Sequence, residues 1–254
     1  NTQKKRKKRL FGVFVLILIL LFAGFKFIDS YLGVKDIKIS GNKRIDSSLF
    51  LNSATNFVWK NLNDSNFFIK VLGGGSMLSW YFMDWDEFAK NDANLANLRS
   101  SFNFWNRSLL FTIEERKPEA IWCLENKCFW FDASGKILEE SPEIYTKLVF
   151  KVQDKSGRFL NIGDYILENE RAIKNLNSIL NLLKDYQSII SNTILDKIYS
   201  EELLVYLENG SRIDFSLRFD PGINKEILKS LIEKAEKESL EYIDLRVENR
   251  VYYK

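Results

Sequence analysis

The chain contains no histidine among its 254 residues, and it has only two cysteines and three prolines. Without histidine there can be no Ser-His-Asp triad, no Cys-His pair, no imidazole general base and no histidine metal ligand. The glycine run at residues 73–75 lacks the lysine and the strand-to-helix setting of a phosphate-binding loop. We therefore expect a protein that is not an enzyme, with no cofactor, no metal and no small-molecule substrate.

The N-terminus carries an uninterrupted run of positive charge. Residues 4–9 are all lysine or arginine, and they lead into an apolar stretch without charge from Leu10 to Phe25. As a helix, residues 10–28 would measure about 29 Å, which is close to the hydrocarbon thickness of a bilayer, about 30 Å. The pattern predicts a transmembrane helix at residues 10–28 and a basic cytoplasmic tail at residues 1–9.

A cleaved signal peptide is the rival interpretation of this segment. Its apolar core would usually be shorter, and Ala23-Gly24-Phe25 is a poor cleavage site. Positive-inside counting then places the bulk of the chain outside the plasma (inner) membrane, as a single-pass protein with a cytoplasmic N-terminus. The basic tail either contacts anionic lipid headgroups or serves only as a topology signal.

The rest of the chain is acidic. Subtracting the six charges of residues 4–9 and that of Lys26 from the net charge of +3 leaves −4. A protein surface that binds nucleic acid is normally basic, because it must neutralise phosphates. We therefore expect no nucleic-acid partner.

Cys123 and Cys128 flank a four-residue segment between two strand-like runs. This spacing suits facing positions in a β-hairpin, and an extracytoplasmic location would permit oxidation. Two buried free thiols fit the same sequence, so both states remain open at this point.

Residues 29–117 read as a small α+β unit with the order strand, helix, helix, strand, strand. In Val34–Ser40 apolar and charged residues alternate, as in a half-buried strand. Asp46 is placed to cap a helix that carries Leu49 and Phe50 inward. A helix near residues 92–98 precedes two strands, at 102–105 and 109–115. Residues 56–85 form an aromatic-rich insertion whose role the pattern does not specify.

Residues 118–254 alternate strands and hairpins with two amphipathic helices. The helices are expected at residues 168–188 and after Asp220-Pro221, and the latter should bury Ile227, Leu228, Leu231, Ile232 and Ala235. Asn209-Gly210 is the strongest hairpin signal in the chain. The last two expected strands are residues 242–246 and 249–254.

Several short motifs, taken in order, give the chain a family resemblance. They are Glu115-Arg116-x-Pro118-x-Ala120, then Asp132-x-x-Gly135-x-Ile137, then Tyr242-Ile243-Asp244-Leu245-Arg246 before a short final strand. In sequence and spacing these motifs resemble the FtsQ/DivIB family of bacterial cell-division proteins. Asn106 departs from the pattern, since many relatives have proline there.

The resemblance implies an α+β fold with a single N-terminal transmembrane helix, a POTRA domain (βααββ) at residues 29–117, and a mostly antiparallel β-domain with flanking helices at residues 118–254. It also implies a divisome scaffold at the division septum. Its partners would be FtsB/DivIC-like and FtsL-like bitopic division proteins, bound outside the membrane so that septal cell-wall synthesis is coupled to division.

Binding by β-strand addition at the C-terminal edge would use a set of terminal residues: Val247, Asn249, Arg250, Val251, Tyr252, Tyr253 and Lys254. Alternatively, Val251 and the tyrosines pair internally and only hold the terminus in place. Asp244 and Arg246 are expected to stabilise the module. Two other classes stay open: a membrane-anchored envelope enzyme that uses paired carboxylates, and a POTRA-type assembly or transport factor.

The two states of the cysteines are distinguished by intact mass after alkylation, measured with and without reductant. A disulfide predicts no alkylation without reductant and two alkyl groups after reduction. Two alkylated thiols in the unreduced protein would exclude the bridge.

Overall fold

The computed structural model describes Val15, Leu20, Gly24 and residues 31–64, 70, 73–125, 127–142, 147–238 and 240–254. Among these residues no helix is both long and apolar enough to cross a bilayer. The expected fold with a transmembrane helix at residues 10–28 is therefore wrong. Apart from Val15, Leu20 and Gly24, that segment lies outside the described residues, as do residues 1–9.

The chain divides into two compact units. The first comprises residues 1–91 and 95–115, and the second comprises residues 92–94 and 116–254. Both combine helices with a sheet, so the fold is α+β.

The first unit has a three-stranded sheet and three described helices. In chain order these are β1 (Asp36–Ser40), α1 (Ser47–Asp64), α2 (Met77–Tyr81), α3 (Trp85–Asn91), β2 (Leu95–Asn103) and β3 (Ser108–Glu115). Strand β3 lies in the centre of the sheet, parallel to β1 and antiparallel to β2. Among its described residues, the unit thus shows one short helix, α2, in addition to the expected βααββ order.

The helix expected near residues 92–98 is wrong, because this segment enters strand β2. Leu95 and Leu98 are both buried, and their three-residue spacing would equally fit one face of a helix. In the structure a bulge between Leu95 and Asn97 shifts the register of β2 against β3. The extra residue turns Leu95 and Leu98 to the same side of the sheet, and a bulge can imitate helical spacing in this way.

Two tryptophans of the aromatic-rich insertion belong to the core of the first unit. Trp80 and Trp85 are buried, and their ring centroids lie 5.7 Å apart. Trp85 also meets Phe111 of β3 edge-on at 4.6 Å. Edge and offset contacts of this kind stabilise a core beyond the area that they bury. The predicted cap of α1 is confirmed, since the Asp46 carboxylate accepts hydrogen bonds from the backbone N–H groups of Ser48 and Leu49 at 2.8 and 3.1 Å. Phe50 is buried as expected, but Leu49 is 66% exposed and its predicted inward orientation is wrong.

Glu115 stabilises the turn between β1 and α1. Its Oε1 atom accepts hydrogen bonds from the backbone N–H groups of Lys43, Arg44 and Ile45 at 2.6, 2.9 and 2.9 Å. Burial acts to raise the pKa of Glu115, but these hydrogen bonds outweigh it and lower the pKa below its ordinary value. Glu114 points to the exposed face of the same strand, as strand geometry requires.

The second unit is built on a nine-stranded sheet. Its strands are β4 (Pro118–Cys123), β5 (Cys128–Asp132), β6 (Ile137–Glu140), β7 (Lys151–Asp154), β8 (Ile190–Leu195), β9 (Glu202–Leu207), β10 (Arg212–Ser216), β11 (Tyr242–Leu245) and β12 (Tyr252–Tyr253). The order across the sheet is β12-β11-β10-β9-β8-β7-β4-β5-β6.

This sheet is mixed: five of its eight strand pairs are antiparallel, as expected for a mostly antiparallel domain, and three are parallel. The parallel pairs are β4–β7, β7–β8 and β10–β11. Parallel neighbours need a crossover connection, and helices usually supply it. Here α4 (Glu170–Leu183) connects β7 to β8, and α5 (Lys225–Glu238) connects β10 to β11.

Both helices bury an apolar stripe in the core of the second unit. The expected stripe of Ile173, Leu176, Leu180 and Leu183 on α4 is confirmed as buried. On α5 the stripe is buried except for Ile227, which is 51% exposed and was wrongly assigned to it. The core also contains Trp122 and Phe131, whose rings meet edge-on.

Two further features of the second unit involve motif residues. Cys123 and Cys128 lie directly opposite each other on β4 and β5 and form a disulfide. Arg116 donates a hydrogen bond to the Asp132 carboxylate at 2.7 Å. Burial acts to raise the pKa of Asp132, but hydrogen bonds from Ser134 and Arg116 outweigh it and lower the pKa below its ordinary value.

We expect Glu115→Gln to lower the free energy of unfolding by about 1–2 kcal/mol at pH 7, because three backbone donors lose an ionised acceptor. Denaturant unfolding followed by circular dichroism measures the change. Glu114→Gln, one residue earlier and on the exposed face, is the matched control and should be near neutral.

The same carboxylate predicts the sign of a pH effect. Folding lowers the pKa of Glu115. Its contribution to the free energy of unfolding is therefore fully present above the pKa of the unfolded chain, about 4.3. This contribution is lost as the pH falls through the pKa of the folded protein. The difference in the free energy of unfolding between Glu115→Gln and the native chain should therefore become smaller at acidic pH. A difference that stays constant down to acidic pH would contradict the role of ionised Glu115 as the acceptor for this turn.

Candidate partner-binding edge

Strand β12 is the outermost strand on one side of the nine-stranded sheet. It pairs antiparallel with β11, with Tyr253 opposite Ile243 and Tyr252 opposite Asp244. No other strand in the described part of the chain pairs with its outer side. The C-terminus therefore forms an open edge of the sheet.

The hydrogen bonds of Lys254 indicate which backbone groups face outward. Lys254 and Tyr242 exchange two hydrogen bonds: Lys254 N–H donates at 3.2 Å, and Tyr242 N–H donates at 3.3 Å. Residues of an antiparallel strand alternate between inward and outward backbone groups. The N–H and C=O of Tyr253 therefore point away from β11, toward the position of an additional strand.

Side chains hold this short strand in place. Lys254 forms an ion pair with Glu241 at 2.9 Å, and the ammonium of Lys234 on α5 lies 5.2 Å from the ring centroid of Tyr253. Val251 is partly buried and packs against the core of the second unit. The terminus is therefore held on its inner side while its outer side stays open.

The structure places all seven predicted partner-binding residues at this edge or in the loop before it. Tyr252 is 46% and Tyr253 is 53% exposed, and Val247 is also exposed. Asn249 lies in the loop with a left-handed φ of 59°, and Arg250 donates its backbone N–H to the C=O of Val247 at 3.2 Å. Val251 differs from the others because its side chain packs inward. The segment thus pairs internally on its inner side and leaves its outer side open, and partner binding at this edge stays a prediction.

An ionic cluster lies beside the edge. The parallel register places Asp214 of β10 next to Asp244 of β11. Arg212 bonds Asp214 through two nitrogens at 2.6 and 2.9 Å, and Arg246 bonds Asp244 at 3.0 and 2.7 Å. Two neighbouring carboxylates would repel each other, but here each has its own guanidinium.

Arg246 links three strands through this cluster. Besides Asp244, it lies 3.8 Å from Asp214 and 3.3 Å from Glu202 of β9. The hydrogen bond from Arg246 is the main reason why the pKa of Asp244 is lowered, and burial opposes it. The same bond raises the pKa of Arg246. The cluster therefore stabilises β11, the strand on which β12 depends.

Sequence reasoning did not identify Glu202 and Asp214 as members of this cluster. A signal for Asp214 exists, because Arg212-Ile213-Asp214-Phe215 and Tyr242-Ile243-Asp244-Leu245 share the pattern Ile-Asp-apolar. The structure aligns these two runs in register. Glu202 has no comparable signal.

Two cavities lie elsewhere in the second unit, with volumes of about 1390 and 610 Å³. Arg158, Phe159 and Leu160 contribute to both. Arg158 is bound to the buried Asp154 at 2.6 Å, and Asp154 also accepts a hydrogen bond from the Trp122 indole at 3.1 Å. In the described residues no group of acidic or cysteine side chains is arranged to hold a metal ion.

The chain matches no protein-family model and no curated protein sequence.

We expect Asp244→Asn to loosen the terminal strand by about 1 kcal/mol, a small value because the Arg246 side chain is 38% exposed and solvent screens the pair. Hydrogen exchange read by mass spectrometry should show faster exchange at residues 252–254 and no change in β4. Because folding lowers the pKa of Asp244, native protein should show the same loosening as the pH falls through that lowered value. Unchanged hydrogen exchange in the variant would show that the ionic cluster does not stabilise strand β12.

Proposed function

We propose that this chain is a non-catalytic scaffold of the bacterial divisome, of the FtsQ/DivIB type, which binds an FtsB/DivIC-like partner by β-strand addition at β12. The observation that carries the proposal is the open outer side of β12, where the backbone N–H and C=O of Tyr253 face away from the sheet. Binding of the FtsB/DivIC-like protein would bring its FtsL-like companion to the same site.

Strand addition suits this edge for two physical reasons. An edge strand offers backbone donors and acceptors that an extended peptide can satisfy, and alternate side chains then supply selectivity. Here the selective contacts would come from Tyr252 on one face and Tyr253 on the other, with Val247 in the adjoining loop. The strand has only two residues, and a short edge limits pairing with unintended strands.

The roles of the motif residues support a binding module rather than an enzyme. Glu115 bonds three backbone amides, and Arg116 pairs with Asp132. Asp244 and Arg246 bond each other. In each case the charged groups are occupied in stabilising a turn or a strand, which leaves them no evident task in catalysis.

We propose that this unit acts outside the cytoplasm, at the septal face of the plasma membrane. The disulfide between Cys123 and Cys128 supports this location, since such bonds persist in oxidising compartments and are rare in the cytosol. The resemblance of residues 29–117 to a POTRA domain belongs to the same proposal, with β3 central between β1 and β2 as its support.

The test is titration calorimetry with the ectodomain of the FtsB/DivIC-like protein from the same genome. Deletion of residues 249–254 should abolish binding. Tyr253→Pro should weaken binding about tenfold, which corresponds to the loss of one backbone hydrogen bond. Proline lacks the outward N–H and requires an extended preceding residue, which strand β12 already provides.

Tyr253→Phe is the matched control, because it keeps the backbone donor and the ring and should bind like the native chain. Thermal unfolding of each variant verifies that the second unit remains folded. Full affinity after the deletion would rule out this edge as the binding site. Full affinity in Tyr253→Pro alone would show that the partner does not use this backbone group.

A further inference from the structure

A group of aromatic side chains lies on the surface of the first unit. We call this group the aromatic tip; it consists of Tyr81, Phe82, Phe102, Phe104 and Trp105. The Tyr81 ring centroid lies 5.4 Å from that of Phe82, 5.3 Å from that of Phe102 and 5.9 Å from that of Phe104. Trp105 is 98% exposed. Tyr81, Phe82, Phe102 and Phe104 therefore form one group of contacting rings, and Trp105 follows Phe104 directly in the chain.

The tip is built on the turn between β2 and β3. Asn103 accepts a hydrogen bond from the backbone N–H of Asn106 at 3.1 Å, and Arg107 adopts a left-handed φ of 54°. A tight turn of this kind normally carries polar residues at its apex. Here Phe104 and Trp105 occupy the apex instead, and contiguous exposed apolar surface marks a contact with a membrane or with another protein.

The chain enters the first unit beside this tip. The backbone N–H groups of Lys35 and Asp36 donate to the C=O of Arg107 at 2.8 and 3.4 Å. The sequence before this entry point contains no charged residue from Leu10 to Phe25, and it is rich in Leu, Ile, Val and Phe. Such a composition partitions into lipid. The tip therefore lies beside the point of entry, which follows this apolar sequence by ten residues in the chain.

We propose that the aromatic tip is a lipid-contacting surface that rests on the headgroup boundary of a bilayer. Tryptophan and tyrosine are enriched at this boundary because one end of each side chain is apolar and the other is polar. Lys35 is exposed at the same end of the sheet and would add a basic group near anionic headgroups. A bilayer also accepts any convex apolar shape, whereas a protein partner would need a matching cavity. This inference is independent of the partner proposed for β12.

The experiment uses the full chain with vesicles made of equal parts phosphatidylcholine and phosphatidylglycerol. Flotation first measures association. Tryptophan emission is then compared between ordinary vesicles and vesicles with brominated acyl chains, which quench rings in contact with lipid. Since Trp105 is one of six tryptophans, native protein should lose about one sixth more of its emission to bromine than Trp105→Phe.

The matched control is Trp130→Phe, which removes a tryptophan from β5 of the second unit. This variant should retain the full quenchable signal of Trp105. The apolar N-terminal sequence is the same in all three proteins, so its own affinity for lipid cancels in the comparison. Substitution at the nearly fully exposed Trp105 should leave thermal unfolding unchanged.

Two results would overturn the proposal. One is failure of the full chain to float with the vesicles. The other is equal quenching of native protein and Trp105→Phe, which would place Trp105 in water and leave the tip as a surface for a protein partner.

Discussion

The parallel register between β10 and β11 is the constraint on which the C-terminal half of the second unit depends. Once α5 has carried the chain back to the same end of the sheet, Ile243 must align with Ile213 to reach the core. That alignment also brings Asp244 beside Asp214, and two carboxylates in such a position would repel each other. Arg212 and Arg246 remove the conflict, because each bonds one carboxylate in a planar, two-point contact. The position of β12, and with it the open edge, follows from this register.

Strand β12 is held on its inner side, and no described strand pairs with its outer side. Lys254 and Val251 secure the strand on its inner side, through the ladder and through the core respectively. Antiparallel pairing satisfies only half of the backbone groups of an outer strand, so holding the strand in place necessarily orients the remaining groups outward. A firmly held terminus is therefore a better template for a partner than a loose one, since less conformational entropy is lost on binding.

The aromatic residues of the first unit divide according to the side of the fold that they occupy. Trp80, Trp85 and Phe111 pack in the core, whereas Tyr81 and Trp105 lie on the surface. The neighbours Trp80 and Tyr81 show how sharply this division falls. In a helix as short as α2, consecutive side chains point in directions about 100° apart, so one ring enters the core while the next joins the surface group.

The sequence by itself determined the local elements whose signals are short-range. Examples are the Asp46 cap, the stripe of α4 from Ile173 to Leu183 and the cross-strand placement of the two cysteines. These depend on side chains within a few residues of one another, and periodicity reports them directly. It also indicated the terminal segment in which the candidate edge lies.

Only the tertiary structure decided the remainder. A bulge gave Leu95 and Leu98 helical spacing on a strand, and two helical crossovers made the large sheet mixed. The ionic cluster joins Glu202 to Arg246, which are distant in the chain. Strand neighbours and register are set by which apolar faces can be buried together, and this depends on the whole chain rather than on a local pattern. The sequence thus located the edge, and packing alone determined which of its backbone groups remain open.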